Sequence, residues 1–201
     1  MAAPFEPVSW NRMNDAIENV RRRLLQTAAA LDAAGVPYAV VGGNAVAAWV
    51  SRVDEAAVRN TRDVDILLRR EELPAAIDAM QTAGFVHRRV ASLGKAGHMD
   101  VFLDGAAGKV RDGVHVVFAS EKTLPSSLAE NPPVTEREDA GGFQLIRLAA
   151  LVGMKLAAWR DKDRVHLRDL ALVGLVDETW PERFEGELKD RLRHILETPE
   201  E

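Results

Sequence analysis

In the stretch RNTRDVDILL, residues 59 to 68, Asp63 and Asp65 stand one residue apart among Val64, Ile66, Leu67 and Leu68, a run that reads as a buried strand. Alternate strand residues point to one face, so the two carboxylates project together, about 7 Å apart along the chain. Like charges so placed repel, so the pair must lie on a solvated edge or have something positive between its members. A third acid, Asp100, opens a strand of similar apolar character in HMDVFLDG. Three acids could converge. Carboxylate oxygens suit hard divalent cations such as Mg²⁺, and two such ions about 3.5 to 4 Å apart form a clamp for in-line phosphoryl chemistry. Gly42 and Gly43 separate the apolar run PYAVV from the helix-like NAVAAWV, with Asn44 as the expected cap. Backbone N–H groups at such a helix start face an approaching anion, and a triphosphate fits there.

Together the parts VVGGNAV, RNTRDVDILL and HMDVFL resemble the DNA polymerase β-like nucleotidyltransferase superfamily. Arg59, Thr61, Asp63 and Asp65 spell Arg-x-Thr-x-Asp-x-Asp, similar to the branch of minimal bacterial enzymes and abortive-infection (AbiEii) type toxins. The likeness continues into MKLAAWRDKDRVHLRDL and so spans Val36 to Leu170. It implies an α+β nucleotidyltransferase fold, a mixed sheet flanked by helices and followed by a helical subdomain. It implies an activity too: transfer of a nucleoside monophosphate from an NTP to a hydroxyl on a small molecule, a tRNA or a protein, with release of pyrophosphate. Two ions, Mg²⁺ or Mn²⁺, would be held by Asp63, Asp65 and Asp100, with Asp100 also accepting the proton of the attacking hydroxyl. Gly42, Gly43 and Asn44 would hold the β and γ phosphates. Arg59 and Thr61 would brace their loop or touch phosphate, a turn role being at least as natural for Thr61. A cognate antitoxin is an implied partner, and a catalytically silent nucleotide-binding regulator is the alternative of a different class.

Lys155, Lys162 and Asp169 are spaced by seven residues, so on one continuous helix they would share a face, with Trp159 and His166 on the same stripe. On a cleft-lining face the two lysines would neutralise nucleotide phosphates. A solvated face, or ion pairs of Asp161 or Asp163 with a nearby base, is the plainer alternative, and a break near Asp161 to Asp163 would spoil the common face.

The positioning elements follow from periodicity and punctuation. Residues 11 to about 34 read as a helix stopped by Gly35, PYAVV and TRDVDILL as strands, and EELPAAIDAMQTAG as a helix with an acidic first turn and a stop at Gly84. FVHRRV, GHMDVFLDG and GVHVVFA supply three more strands. The Pro- and Ser-containing TLPSSLAENPPV reads as an irregular connection, which puts a division between an α/β part, 1–124, and a helical part, 125–201. In the latter, FQLIRLAALVGMKLAAW, DRVHLRDLALVGLV and the run from Pro181 to about Leu196 are three expected helices. No internal repeat or low-complexity tract is present.

The composition suits this reading. The 201 residues are 47% hydrophobic and 28% charged, enough for one or two cores. A net charge of −5 argues against a general polyanion binder. Arg21 to Arg23, Arg69 with Arg70, and Arg88 with Arg89 read first as solvated element ends. With no cysteine, any metal must bind oxygen or imidazole. No apolar stretch reaches bilayer length and no leader pattern opens the chain, so a cytoplasmic location is the default expectation. Asp104, before Gly105, reads as a turn residue, and His98 as a solvated residue at a strand start. The other histidines form no metal-ligand spacing, and Trp49, Trp159 and Trp180 read as core or interface anchors.

Overall fold

A computed structural model describes residues 9–91 and 98–198. Helix α1 (Trp10–Ala33) starts where the Ser9 hydroxyl accepts from the Arg12 N–H, and the chain leaves it through Gly35 at φ +64°. There follow β1 (Tyr38–Val41), α2 (Gly42–Ser51), β2 (Val64–Leu68), α3 (Leu73–Thr82), β3 (Val86–Ala91), β4 (His98–Leu103) and β5 (Val114–Phe118). The chain ends with β6 (Arg137–Asp139), β7 (Gln144–Ile146), α4 (Leu148–Ala158), α5 (Asp161–Leu172) and α6 (Gly186–Glu197). Among the described residues no helix is long and apolar enough to cross a membrane.

The strands form one mixed sheet of order β3-β4-β5-β2-β1-β7-β6, in which β2 runs parallel to β5 and β1 parallel to β7. The period of two divides its side chains between two cores. Val40, Val64, Ile66, Leu68, Phe102 and Val114 pack with Leu24, Leu31 and Met80 of α1 and α3 on one face. Ala39, Val41, Leu67, Leu145 and Ile146 pack with α2, α4, α5 and α6 on the other. Leu67, fully buried and two residues beyond Asp65, anchors β2 on that second face. Truncating it to Ala would cost about 2–5 kcal/mol and loosen the strand that carries the acids.

Three sequence expectations are corrected. FQLIRLAALVGMKLAAW is not a single helix: Gln144–Ile146 is a strand, because Leu145 finds a parallel partner in Val40 of β1, and α4 begins only at Leu148. The sheet therefore runs past the division expected at residue 124, and Leu145, Ile146 and Leu151 share a core with Val41 and Ala45. The helix expected from Pro181 begins at Gly186, with Pro181 in a preceding short 3₁₀ turn.

Candidate functional site

Strand β2 brings Asp65 beside the strand–helix turn of Gly42, since Val41 is its cross-strand partner. Gly42 holds φ +69°, and a β-carbon there would lie 1.9 Å from Oδ2 of Asp65. Only glycine lets the turn and the carboxylate coexist. At Gly43 an added β-carbon would stand 3.1 Å from the Thr61 side chain, a tight contact that a shift of a few tenths of an ångström would relieve. Asp63 is positioned from two sides. The Thr61 hydroxyl donates to its Oδ1 at 2.7 Å, and the Asn44 amide donates to its backbone carbonyl at 2.6 Å. Asn44 is thus inside the first turn of α2 rather than its cap, and no side chain caps that N-terminus.

What stands between the two acids is His115. It lies opposite Asp65 in the parallel β2–β5 register, on the same face. Its Nδ1 is 3.4 Å from Oδ2 of Asp63 and 3.6 Å from Oδ1 of Asp65, while its Nε2 is 2.7 Å from the Val110 carbonyl. A carbonyl only accepts, so Nε2 carries a hydrogen and Nδ1 is the atom offered to the acids. Burial alone would lower the pKa of His115, but its bonds to Asp63 and Asp65 outweigh that and push it up to about 10. Burial likewise works against the ionised form of Asp63, yet His115 and Thr61 hold it well below the usual carboxylate range. In the ion-free protein the repulsion between the acids is therefore relieved by an imidazolium.

Asp100 is not the third member. Val101 pairs with His115 across β4 and β5, so Val101 shares the face of the acids and Asp100 points to the other one. There its buried carboxylate lies 2.8 Å from Nε2 of His87. A strand's period of two turns a one-residue offset into opposite faces. His115 was missed because it is a lone histidine in an apolar strand. Its signal was its place in GVHVVF, a polar residue between Val114 and Val116 in a strand like that of the acids.

Above Asp63, Asp65 and His115 opens a cleft of about 510 Å³. Gly42, Lys155, Arg160 and Lys162 also line it, as do His98, exposed as expected, and Arg70. The lysines do not reach it on one helix. Trp159 takes a left-handed conformation, φ +50°, that ends α4, and α5 restarts at Asp161. The common stripe is therefore broken, although the turned chain still brings both lysines to the lining of the cleft. Their states differ. Lys155 is buried with its ammonium 3.2 Å from Asp163, and burial, the larger effect, lowers its pKa despite Asp163 and Asp65. Lys162 is exposed. Asp163, fully buried, also receives the Arg160 guanidinium at 2.6 Å and the Arg160 N–H at 3.1 Å, which closes the cap of α5.

Arg59 donates to Asp169 of α5 at 2.8 Å, which ties the loop before β2 to that helix. Asp104 does more than turn the chain. It takes a bidentate pair from Arg23, buried at 7% exposure, which was expected to be solvated and which also donates to the Arg62 carbonyl. Trp49 serves as an anchor, its indole N–H donating to the Ile146 carbonyl at 3.0 Å.

No protein-family model matches the chain, and no curated protein matches it. Solved structures do. An antigenic nucleotidyltransferase-like protein from Paracoccidioides brasiliensis superposes with a TM-score of 0.55 at 16% identity, covering 91% of this chain and 89% of that one. ANT(2")-Ia in complex with adenylyl-2"-tobramycin superposes with a TM-score of 0.50 at 13% identity, covering 88% and 97%. At such identities the likeness is one of fold, and the fold is that of the nucleotidyltransferases.

Proposed function

We propose that this chain is a metal-dependent nucleotidyltransferase that moves a nucleoside monophosphate from an NTP to a hydroxyl acceptor and releases pyrophosphate. One observation carries the reading: Asp63, Asp65 and the Nδ1 of His115 meet on the floor of a cleft, beside the uncapped N-terminus of α2 and opposite Lys155, Arg160 and Lys162. The residues fit a divalent ion. Donor atoms about 2.0–2.2 Å from one ion lie about 3.0–3.6 Å apart at the usual ligand angles, and Nδ1 stands 3.4 and 3.6 Å from the two carboxylate oxygens. When bound, the ion would draw charge from the reacting phosphate and lower the pKa of the attacking hydroxyl.

The chain's own groups do the rest by position and charge. Gly42 and Gly43 leave the first N–H groups of α2 open to phosphate oxygens, and the helix dipole favours the negative charge there. Lys162 and Arg160 face the triphosphate from the opposite wall. Lys155, neutralised in part by Asp163, fixes the end of α4 and adds positive potential near Asp65. The acceptor oxygen bonds the α-phosphorus as the bond to pyrophosphate breaks, and the hydroxyl proton leaves to water in the cleft. Alignment and neutralisation supply the acceleration, since phosphoryl transfer asks little covalent work of the protein.

Two features bear on the acceptor and setting. ANT(2")-Ia was solved with an adenylylated tobramycin, which suits transfer to a hydroxyl. The Arg-x-Thr-x-Asp-x-Asp spelling and the lysine-bearing helices support the abortive-infection type branch, in which a cognate antitoxin is the expected partner.

The test is incubation with each labelled NTP, Mg²⁺ or Mn²⁺ and a cell extract, comparing the protein with Asp65→Asn. The reading predicts label transfer and pyrophosphate release that vanish in the variant. A second reading, a nucleotide-binding regulator without chemistry, is favoured by one fact, the imidazole where a third carboxylate was expected. Nucleotide binding without any Asp65-dependent transfer would establish it.

A further inference from the structure

We infer that His115 is itself a metal ligand through Nδ1, and that Asp63, Asp65 and His115 hold one ion with a preference for Mn²⁺ over Mg²⁺. The inference rests on the functional reading above for its site and goes beyond it in the ion preferred and the stoichiometry.

Three features support it. First, Nε2 is committed to the Val110 carbonyl at 2.7 Å, which fixes the ring with Nδ1 towards the acids, so that an ion displacing the Nδ1 proton would meet its lone pair there. A ligating histidine held by its other nitrogen on a backbone carbonyl is the usual way a protein fixes both tautomer and orientation. Second, the donor set is mixed. Mg²⁺ is hard, binds through oxygen and dehydrates reluctantly, whereas Mn²⁺ keeps the taste for carboxylate and, as a first-row transition metal, gains more than Mg²⁺ from a nitrogen donor. Third, Asp63, Asp65 and His115 are the one such cluster of potential ligands among the described residues, and Asp100 is turned to the other face beside His87, so without nucleotide the site offers a single three-residue ligand set.

The test is spectroscopic and separate from turnover. Mn²⁺ bound to the protein is examined by pulsed electron paramagnetic resonance, with and without selective ¹⁵N-histidine labelling, and free Mn²⁺ is titrated to give stoichiometry. Mg²⁺ affinity comes from competition. The expected result is one tight Mn²⁺ per chain without nucleotide, with a nitrogen coupling that shifts on histidine labelling. That coupling should be lost in His115→Asp and kept in His98→Ala. His115→Asp should also narrow the ratio of Mg²⁺ to Mn²⁺ dissociation constants at least tenfold. Should His115→Asp not fold, His115→Asn serves for the coupling, and the labelled unsubstituted protein decides alone whether histidine nitrogen touches the ion.

Tight Mn²⁺ binding without histidine coupling, coupling that survives in the His115 variants, or two equally tight ions per chain would each overturn the inference. Label transfer by a protein lacking the coupling would leave the transferase reading standing and sink only the ligand assignment. Coupling without any transfer would do the reverse.

Discussion

A β-carbon placed on Gly42 would lie 1.9 Å from Oδ2 of Asp65, so the glycine of the β1–α2 turn and the acid of β2 occupy complementary space. The turn thus helps position the carboxylate as well as exposing backbone N–H groups. Gly42→Ala must move one of the two, and it adds a left-handed strain of about 1–2 kcal/mol. A lowered melting temperature together with loss of Mn²⁺ binding is expected. Unchanged ion affinity in a folded Gly42→Ala would show that Asp65 does not need this position.

Thr61 acts through Asp63. Its hydroxyl donates to Oδ1 at 2.7 Å, leaving Oδ2 facing His115. Thr61→Val keeps the shape and removes the donor. Loss of such an orienting partner typically costs roughly tenfold or more in metal affinity, so titration should show that fall while circular dichroism stays unchanged.

The two lysines should behave differently. Lys162 is exposed, so Lys162→Ala should leave the melting temperature alone and weaken nucleotide binding about three- to tenfold. Lys155→Met leaves Asp163, at 0% exposure, with Arg160 as its remaining cation. That should destabilise the fold by about 3 kcal/mol, the low end of the cost of breaking a buried pair. Urea unfolding and nucleotide titration of both variants measure the split.

The ion-free protein should have a distinctive pH profile. His115 titrates near 6.5 when unfolded and near about 10 when folded. Its contribution is present in full below pH 6.5 and disappears as pH rises through about 10. Asp63 is the other half of the same pair. Its contribution is present above its unfolded value of 3.8 and is lost as pH falls through its lower folded value. Urea unfolding in chelator between pH 6 and 10 should show falling stability, and His115→Gln should flatten that slope. A slope equal in both proteins would remove His115 as its source.

Much of the architecture was legible because periodicity and glycine stops carry it. The helix ending before Gly35 and the strands PYAVV and VHVVF follow from local pattern, whereas the meeting of the acid pair with the glycine turn was implied only by the resemblance. What was not legible depended on partners distant in sequence. Asp100 opens a strand much like that of Asp63 and Asp65, but the β4–β5 register, invisible from either strand alone, turns it to the opposite face. His115 becomes significant only because β5 lies parallel to β2. Gln144–Ile146 reads as helix until β1 offers it a parallel edge. The break at Trp159 has no proline or glycine to announce it. It is held by the Arg160–Asp163 cap and by Lys155, residues read in sequence as members of a continuous face.

The most direct test of the account is a crystal of the protein soaked with a non-hydrolysable NTP and Mn²⁺, measured for manganese anomalous scattering. The account predicts a peak within bonding distance of Asp63, Asp65 and Nδ1 of His115, with the triphosphate against the N-terminus of α2. A peak at Asp100, or a triphosphate seated away from Gly42 with no manganese between the two acids, would contradict it.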